Sequence, residues 1–313
     1  MSNIKSVVIY GPGTMGASMA QVFAQYGFKT TLLGRSEESI KKAVKLIDIN
    51  QKHAVENGLL TKEESEKIAA SIIYTTDMNC FKDAEYIIET IVEDMAVKKD
   101  FYKQLSEIVS DSAVIVTNTS GLSITEMAES VKKPERFAGM HWINPPHLVP
   151  LIEIIKGENT NDETVEVIKQ VCGDIHKKAV VVKKECAGFL FNRLQYAVLR
   201  EAAYIVENGW ADIEDVDNVV KYGLGMRYAC LGPFAVADLG GLDTFNKVAA
   251  YLVPDLSKEN NIKLLNSIVA EGGFGVKNKK GFYDYSDGGD IKAINERDSA
   301  FIEILREFYK KRL

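Results

Sequence analysis

Six residues near the start, Gly11-Pro12-Gly13-Thr14-Met15-Gly16, restrict the fold more than any other part of the chain. They follow residues 6–10 (SVVIY), a short apolar, β-branched run that reads as a buried strand. Residues 17–26 then read as a helix ended by Gly27, and residues 30–33 as a second strand. Strand, glycine turn, helix, strand is a βαβ unit. A glycine pattern alone arises by chance in loops, but in this setting each glycine has a physical task. Gly11 makes the tight turn, Gly13 lets the backbone approach a pyrophosphate, and Gly16 lets helix and strand pack closely. Thr14 and Met15 sit between them, at the positive end of the helix where a pyrophosphate binds. The implied ligand is a dinucleotide, NAD or NADP.

The end of the second strand selects between the two. An acid there would bind the ribose 2′-hydroxyl. This chain has Gly34, Arg35 and Ser36 instead. Gly34 removes a charge that would repel a 2′-phosphate, Arg35 offers it a two-pronged contact, and Ser36 adds a hydroxyl. NADP(H) is favoured. The competing reading stacks Arg35 on adenine and gives the ribose to Glu37 or Glu38.

Further along, helical stretches at 37–56 and 62–70 flank Asn57-Gly58 and form a hairpin inserted in the βαβ order. Strands are expected at 72–75, 86–89, 114–117, 137–140, 152–155 and 179–182, with helices at 98–109 and 164–171. After Lys184 the pattern turns helical: 189–207, 213–221, 234–239, 242–252, 262–270 and 295–311. The expected fold is therefore a doubly wound, mainly parallel α/β Rossmann domain over residues 1–185. An all-α C-terminal domain over 186–313 follows it. A length of 313 residues suits two domains.

Composition narrows the function. A net charge of -6 argues against nucleic acid, because phosphate binding needs a basic face. No run of about 18 apolar residues is present to span a membrane. Met1-Ser2-Asn3-Ile4-Lys5 runs straight into the first strand with no room for a signal peptide, so the cytoplasm is expected. Cys80, Cys172, Cys186 and Cys230 form no CxxC pair and are expected to be buried thiols. His147 lies near His141, but no third ligand is spaced for a metal, and none is expected. His53 and His176 fall in polar helical stretches and are expected at the surface.

Three segments carry dense polar chemistry: Thr117-Asn118-Thr119-Ser120-Gly121, His141-Trp142-Ile143-Asn144-Pro145-Pro146, and Gly188-Phe189-Leu190-Phe191-Asn192-Arg193. The first two fall at strand ends, where doubly wound sheets bind ligands. Glu153 lies twelve residues past His141, inside the apolar run LIEII, where an unpaired carboxylate would be costly. A neutral histidine takes a proton near pH 7.

On these motifs the chain resembles the L-3-hydroxyacyl-CoA dehydrogenase family over essentially its full length. Asn-Thr-Ser, His-x-x-Asn-Pro, a glutamate twelve residues on, and Asn-Arg-Leu all match, as does the Ser-to-His spacing of 21. The resemblance implies His141 as base, Glu153 as its partner, and Ser120 and Asn192 as donors to the reacting oxygen. It implies cofactor contacts at Glu93, Lys98, Asn118, Ser120, Asn144 and Lys277, substrate contacts at Ser120 and Asn144, and a homodimer. Asn192 has a competing reading as a helix cap.

Two features depart from the acyl-CoA pattern. The hairpin turn, Glu56-Asn57-Gly58-Leu59-Leu60, is short of the cations that coenzyme A would need, with Lys62 the nearest downstream. Gly223-Leu224-Gly225-Met226-Arg227-Tyr228 is similar to the branch containing lambda-crystallin and gulonate 3-dehydrogenase, which oxidises free hydroxy acids. Arg227 would clamp the carboxylate of such an acid, or else make a structural or interface salt bridge. Residues 232–234 and 237–243 match the acyl-CoA members instead. The expected substrate is a short 3-hydroxyacyl-CoA of the 3-hydroxybutyryl type. A free 3-hydroxy acid is the alternative, and a non-catalytic, crystallin-like nucleotide binder is a third reading.

Overall fold

Apolar residues alternate between the two faces of one eight-stranded sheet, and that alternation explains both halves of its core. The computed structural model describes residues 4–309. The strands are β1 (Ser6–Tyr10), β2 (Lys29–Leu33), β3 (Ile73–Thr75), β4 (Tyr86–Glu89), β5 (Val114–Thr117), β6 (Phe137–Trp142), β7 (Leu151–Ile155) and β8 (Lys178–Val182). Their order in the sheet is β3-β2-β1-β4-β5-β6-β7-β8. All neighbours are parallel except β6 and β7, which run antiparallel. Val7, Ile9, Ile88, Val116 and Met140 point to one face, and Val8, Ile87, Ile115 and Phe137 to the other. Both faces are buried, as a wound parallel sheet requires.

Helices close these faces: α1 (Thr14–Gln25), α2 (Glu37–Glu56), α3 (Lys62–Ser71), α4 (Met95–Ser106), α5 (Ile124–Ala128) and α6 (Asp162–Asp174). Two expected boundaries move for identifiable reasons. Helix α1 starts at Thr14, directly on the glycine turn, with Gly13 as its N-cap. Helix α4 starts three residues earlier than expected because Asp94 caps it, accepting from Val97 N at 3.0 Å. The short α5 was not anticipated; five residues show no helical periodicity.

The described residues divide into two compact units, 4–191 with 296–309, and 192–295. The second unit is helical: α7 (Phe191–Glu207, its first residue in the first unit), α8 (Ile213–Asn218), α9 (Gly225–Cys230), α10 (Pro233–Gly240), α11 (Leu242–Leu252) and α12 (Lys263–Ala270). A π-helical stretch, Val219–Leu224, joins α8 to α9, so the Gly-Leu-Gly segment is helical. Glu201 and Glu207 of α7 accept the backbone N–H groups of Ser257 and Leu264 at 2.8 and 2.7 Å. The last helix, α13 (Gly289–Ile304), begins six residues before its expected start and continues as a π-turn to Tyr309. Residues 310 and 311 of its expected span lie outside the described residues.

All four cysteines are free thiols, but only Cys172 is fully buried, Cys80 and Cys186 are half-buried, and Cys230 is exposed. His53 is half-buried rather than at the surface, because Ser299 of α13 lies against its ring, Oγ to Nε2 3.4 Å.

Candidate active site

The order of the sheet reverses between β1 and β4, and a cavity of about 500 Å³ opens beyond the carboxyl ends of these strands. Its lining includes Gly11, Gly13, Thr14, Arg35 and Lys42. Such a reversal is where wound sheets hold their ligands. The glycines behave as their motif requires. Gly11 has φ +112, and a Cβ there would lie 2.4 Å from Thr90 O. A Cβ on Gly16 would lie 2.0 Å from Gly11 O, while at Gly13 it would meet nothing within 4 Å. Close backbone packing at two positions and open space at the third is the form a dinucleotide cradle takes, so the residues present fit the cofactor. Met15 sits beside Thr14 in the first turn of α1.

At the end of β2, a Cβ on Gly34 would crowd Ser39 Oγ at 2.7 Å, Ile40 Cδ1 at 2.8 Å and Pro12 Cγ at 2.9 Å. An acidic side chain therefore has no place there without displacing those groups. Ser36 caps α2, accepting from Ser39 N at 3.2 Å, and Ser39 returns the bond to Ser36 N. Its oxygen is thus occupied as a cap. Lys42, which sequence reasoning missed, lines the same cavity as Arg35 and pairs with Glu38 at 2.6 Å. It follows Glu38 by one helical turn of α2.

Antiparallel pairing of β6 and β7 turns the twelve-residue spacing into a contact. His141 and Glu153 sit directly opposite each other, and His141 Nδ1 lies 2.8 Å from Glu153 Oε2. Both side chains are buried. The other oxygen, Oε1, accepts from Leu190 N at 2.8 Å and Phe191 N at 2.9 Å. Burial pushes the Glu153 carboxyl up; hydrogen bonds from His141 and from the Phe191 and Leu190 amides outweigh it and hold the group below the usual carboxylate range. Phe189 packs its ring against His141, 5.5 Å between centroids at 61°.

Ser120 is exposed at the end of the loop leaving β5. Its backbone N–H donates to Glu93 Oε1 at 2.8 Å, and Thr119 Oγ1 donates to the same oxygen. Asn118 Oδ1 accepts Trp142 N at 2.8 Å, tying this loop to the end of β6. Lys98 lies under the site with its side chain 1% exposed, bonded to Glu89 at 2.6 Å and 3.5 Å from Glu93. Glu89 is fully buried and satisfied four times over, by Lys98, Ile91 N, Tyr102 OH and Thr117 Oγ1. A buried charge needs such company. Glu89 escaped notice in the sequence because it ends an otherwise apolar strand.

Asn144 is exposed and precedes a cis peptide to Pro145. Behind that loop, Lys177 Nζ donates to Pro146 O and Val149 O at 2.8 and 2.7 Å. Burial brings the Lys177 pKa down to about 7. Burial, with the charges of Lys177, Arg297 and His53, takes His147 down to about 3. Asn192, Arg227 and Lys277 belong to the second unit. Arg227 and Lys277 are exposed there, and Arg227 forms no ion pair among the described residues.

A family model described as "3-hydroxyacyl-CoA dehydrogenase, NAD binding domain" matches residues 6–186, and its "C-terminal domain" counterpart matches residues 188–285. A 3-hydroxybutyryl-CoA dehydrogenase of Clostridioides difficile is 36% identical over 282 residues, covering 90% of this chain and 99% of its own. The crystal structure of an NAD+-dependent 5-formyl-3-hydroxy-2-methylpyridine 4-carboxylic acid 5-dehydrogenase superposes with a TM-score of 0.89 at 31% identity, over 97% of this chain and 98% of that one. That of a (S)-3-hydroxybutyryl-CoA dehydrogenase from Ralstonia eutropha gives 0.75 at 31% identity, over 91% and 100%.

Proposed function

Since the chain belongs to the 3-hydroxyacyl-CoA dehydrogenase family and is an NAD-dependent oxidoreductase by that membership, we propose that it interconverts a short 3-hydroxyacyl-CoA and the 3-ketoacyl-CoA. The observation that carries this reading is the His141–Glu153 pair. Nδ1 is held by the carboxylate, which leaves Nε2 to take the hydroxyl proton as hydride leaves the neighbouring carbon. Glu153 then stabilises the imidazolium. Ser120 hydrogen-bonds the reacting oxygen, polarising the ketone in the reverse direction; Asn192 is given the same task by family resemblance. The bound nicotinamide supplies the hydride chemistry. Glu93 holds the Ser120 loop, and Lys98 balances Glu93 and Glu89. Asn118, Asn144 and Lys277 are cofactor contacts on the resemblance.

NADP(H) is the preferred form in this proposal. Support comes from the crowded Gly34, which keeps an acid away from the 2′ position, and from Arg35 and Lys42 lining the cavity together. A homodimer through the helical unit is also proposed, supported by its exposed apolar side chains, among them Phe234 at 85% and Leu239 at 77%. Light scattering at micromolar concentration is expected to give twice 34.7 kDa; a mass near 34.7 kDa would contradict it.

A second reading takes a free carboxylic acid as substrate. It is favoured by the stronger superposition on the pyridine carboxylic acid enzyme and by the uncommitted guanidinium of Arg227. On the hairpin, Lys52 and Lys62 are already paired with Glu56 and Glu66. Initial rates with acetoacetyl-CoA and with free 3-hydroxy acids, each with NAD(H) and NADP(H), decide the matter. Turnover confined to free acids would overturn the acyl-CoA reading.

A further inference from the structure

Residues 185–191, running from past β8 into the first residue of α7, are bound to both halves of the proposed catalytic apparatus. At one end, Glu185 Oε1 accepts Ile124 N at 2.7 Å, and Oε2 accepts Thr125 Oγ1 at 2.8 Å and Thr125 N at 3.3 Å. These three donors form the first turn of α5, which starts four residues after Ser120. At the other end, the Leu190 and Phe191 amides hold Glu153, and Glu153 holds His141. Between them Gly188 and Phe189 have φ +72 and +51. A bulky residue in the left-handed region is a genuine outlier, and it persists only where its surroundings over-determine it. Here Phe189 is 1% exposed, with its ring on His141 and its N–H on Cys186 O at 3.0 Å.

We propose that Glu185 is a positioning residue for the reaction: through α5 it sets the Ser120 loop in register with His141, which the same seven-residue strap holds through Glu153. The strap works as a gauge. The base and the serine lie on different strand ends: β5 and β6 pair as far as Thr117 and Gly139, and past that point the Asn118–Trp142 bond ties the serine loop to β6. One stretch of chain that grips both fixes the distance between them. A displacement of about 1 Å at such a site costs up to 10²-fold in rate. Glu185 does not line the cofactor cavity, so its loss is expected to act on kcat before it acts on cofactor affinity.

This inference rests on the proposed role of Ser120, and a double-mutant cycle separates the two. Glu185→Gln keeps the shape but turns an NH₂ towards donors. It is expected to lower kcat about tenfold with cofactor Kd unchanged within twofold. In a Ser120→Ala background the same change is expected to cost less than twofold, because the group being positioned is gone. Equal losses in both backgrounds would overturn the proposal and reduce Glu185 to a structural cap. If Ser120→Ala itself leaves kcat intact, the assignment of Ser120 fails instead. Should Glu185→Gln melt below the assay temperature, Glu185→Asp, which keeps both acceptors one methylene shorter, is run through the same cycle with the same criterion.

Discussion

The two units are built on opposite principles. In the first, whole strands are buried: every residue of β4, β5 and β6 is buried, and the core covers both faces of the sheet. In the second, among the described residues, Ala203 is the one buried hydrophobic side chain. Phe234, Leu239, Met226 and Tyr222 are each at least 74% exposed. At about 1.5–3 kcal/mol for each buried large apolar side chain, burial stabilises the sheet unit far more than the helical one. Of the proposed catalytic set, His141, Glu153 and Ser120 lie on the sheet unit with the cradle, and Asn192 lies on the helical one. The helical unit has surface to give to partners.

The largest expected effect tests that division. His141→Ala should reduce kcat by about 10²–10⁴ or more, while cofactor affinity stays near the wild-type value. On the proposed mechanism the histidine acts on the substrate oxygen and not on the dinucleotide. Stopped-flow turnover with cofactor titration checks this; a variant with more than half the original activity removes His141 from the mechanism.

Next in size is Arg35→Ala, also within the sheet unit. Loss of a charge-assisted hydrogen bond costs about 1.5–3 kcal/mol, or roughly 10- to 10²-fold in Kd. NADP(H) should weaken by that factor and NAD(H) by much less, measured by fluorescence titration of the two reduced cofactors. Equal weakening would show that Arg35 does not meet the 2′-phosphate.

What could be read from the sequence follows the same contrast. Strands β1, β4 and β5 were legible to the residue because buried parallel strands are continuous β-branched runs with breakers at both ends. The His141–Glu153 pair was legible because an acid in LIEII has to find a partner and the family resemblance named the histidine twelve residues before it. Glu185 was not, since Lys183-Lys184-Glu185 reads as a solvated linker, and its partners are about 60 residues away. Glu89 was obscure in the same way, its bond to Thr117 spanning 28 residues, and Glu93 was named through the family resemblance but not its bond to Ser120, 27 residues on. Local pattern does not report such distances. In the helical unit, amphipathic periodicity located α11 and α12 closely, but no pattern in one chain shows what covers an exposed face.

A smaller effect concerns stability against pH. Lys177 is 9% exposed, and burial brings its pKa down from 10.5 to about 7. The unfolded chain therefore binds more protons than the folded one between pH 7 and 10.5, and unfolding free energy rises with pH across that window. One proton contributes at most about 1.4 kcal/mol per pH unit. Lys177→Met should flatten this part of the profile, read from urea midpoints at pH 7 and pH 9. An unchanged slope would mean that Lys177 keeps its charge in the fold.

The smallest expected effect lies in the helical unit and decides the substrate. A free 3-hydroxy acid carries a carboxylate two carbons from the reacting carbon, and a mostly dry site must neutralise it; a bidentate arginine does this well. A thioester has no such charge and no use for the arginine. Arg227 is exposed on α9 and forms no ion pair among the described residues, so its removal breaks no buried network. Arg227→Met retains much of the stem and loses the charge. On the acyl-CoA reading, kcat/KM for acetoacetyl-CoA should stay within about threefold of wild type. On the free-acid reading, kcat/KM for the acid should fall by roughly 10²-fold, about 3 kcal/mol of lost transition-state stabilisation. A selective loss of that size, with the thioester rate untouched, would transfer the substrate assignment to free acids and give the helical unit a direct part in recognition.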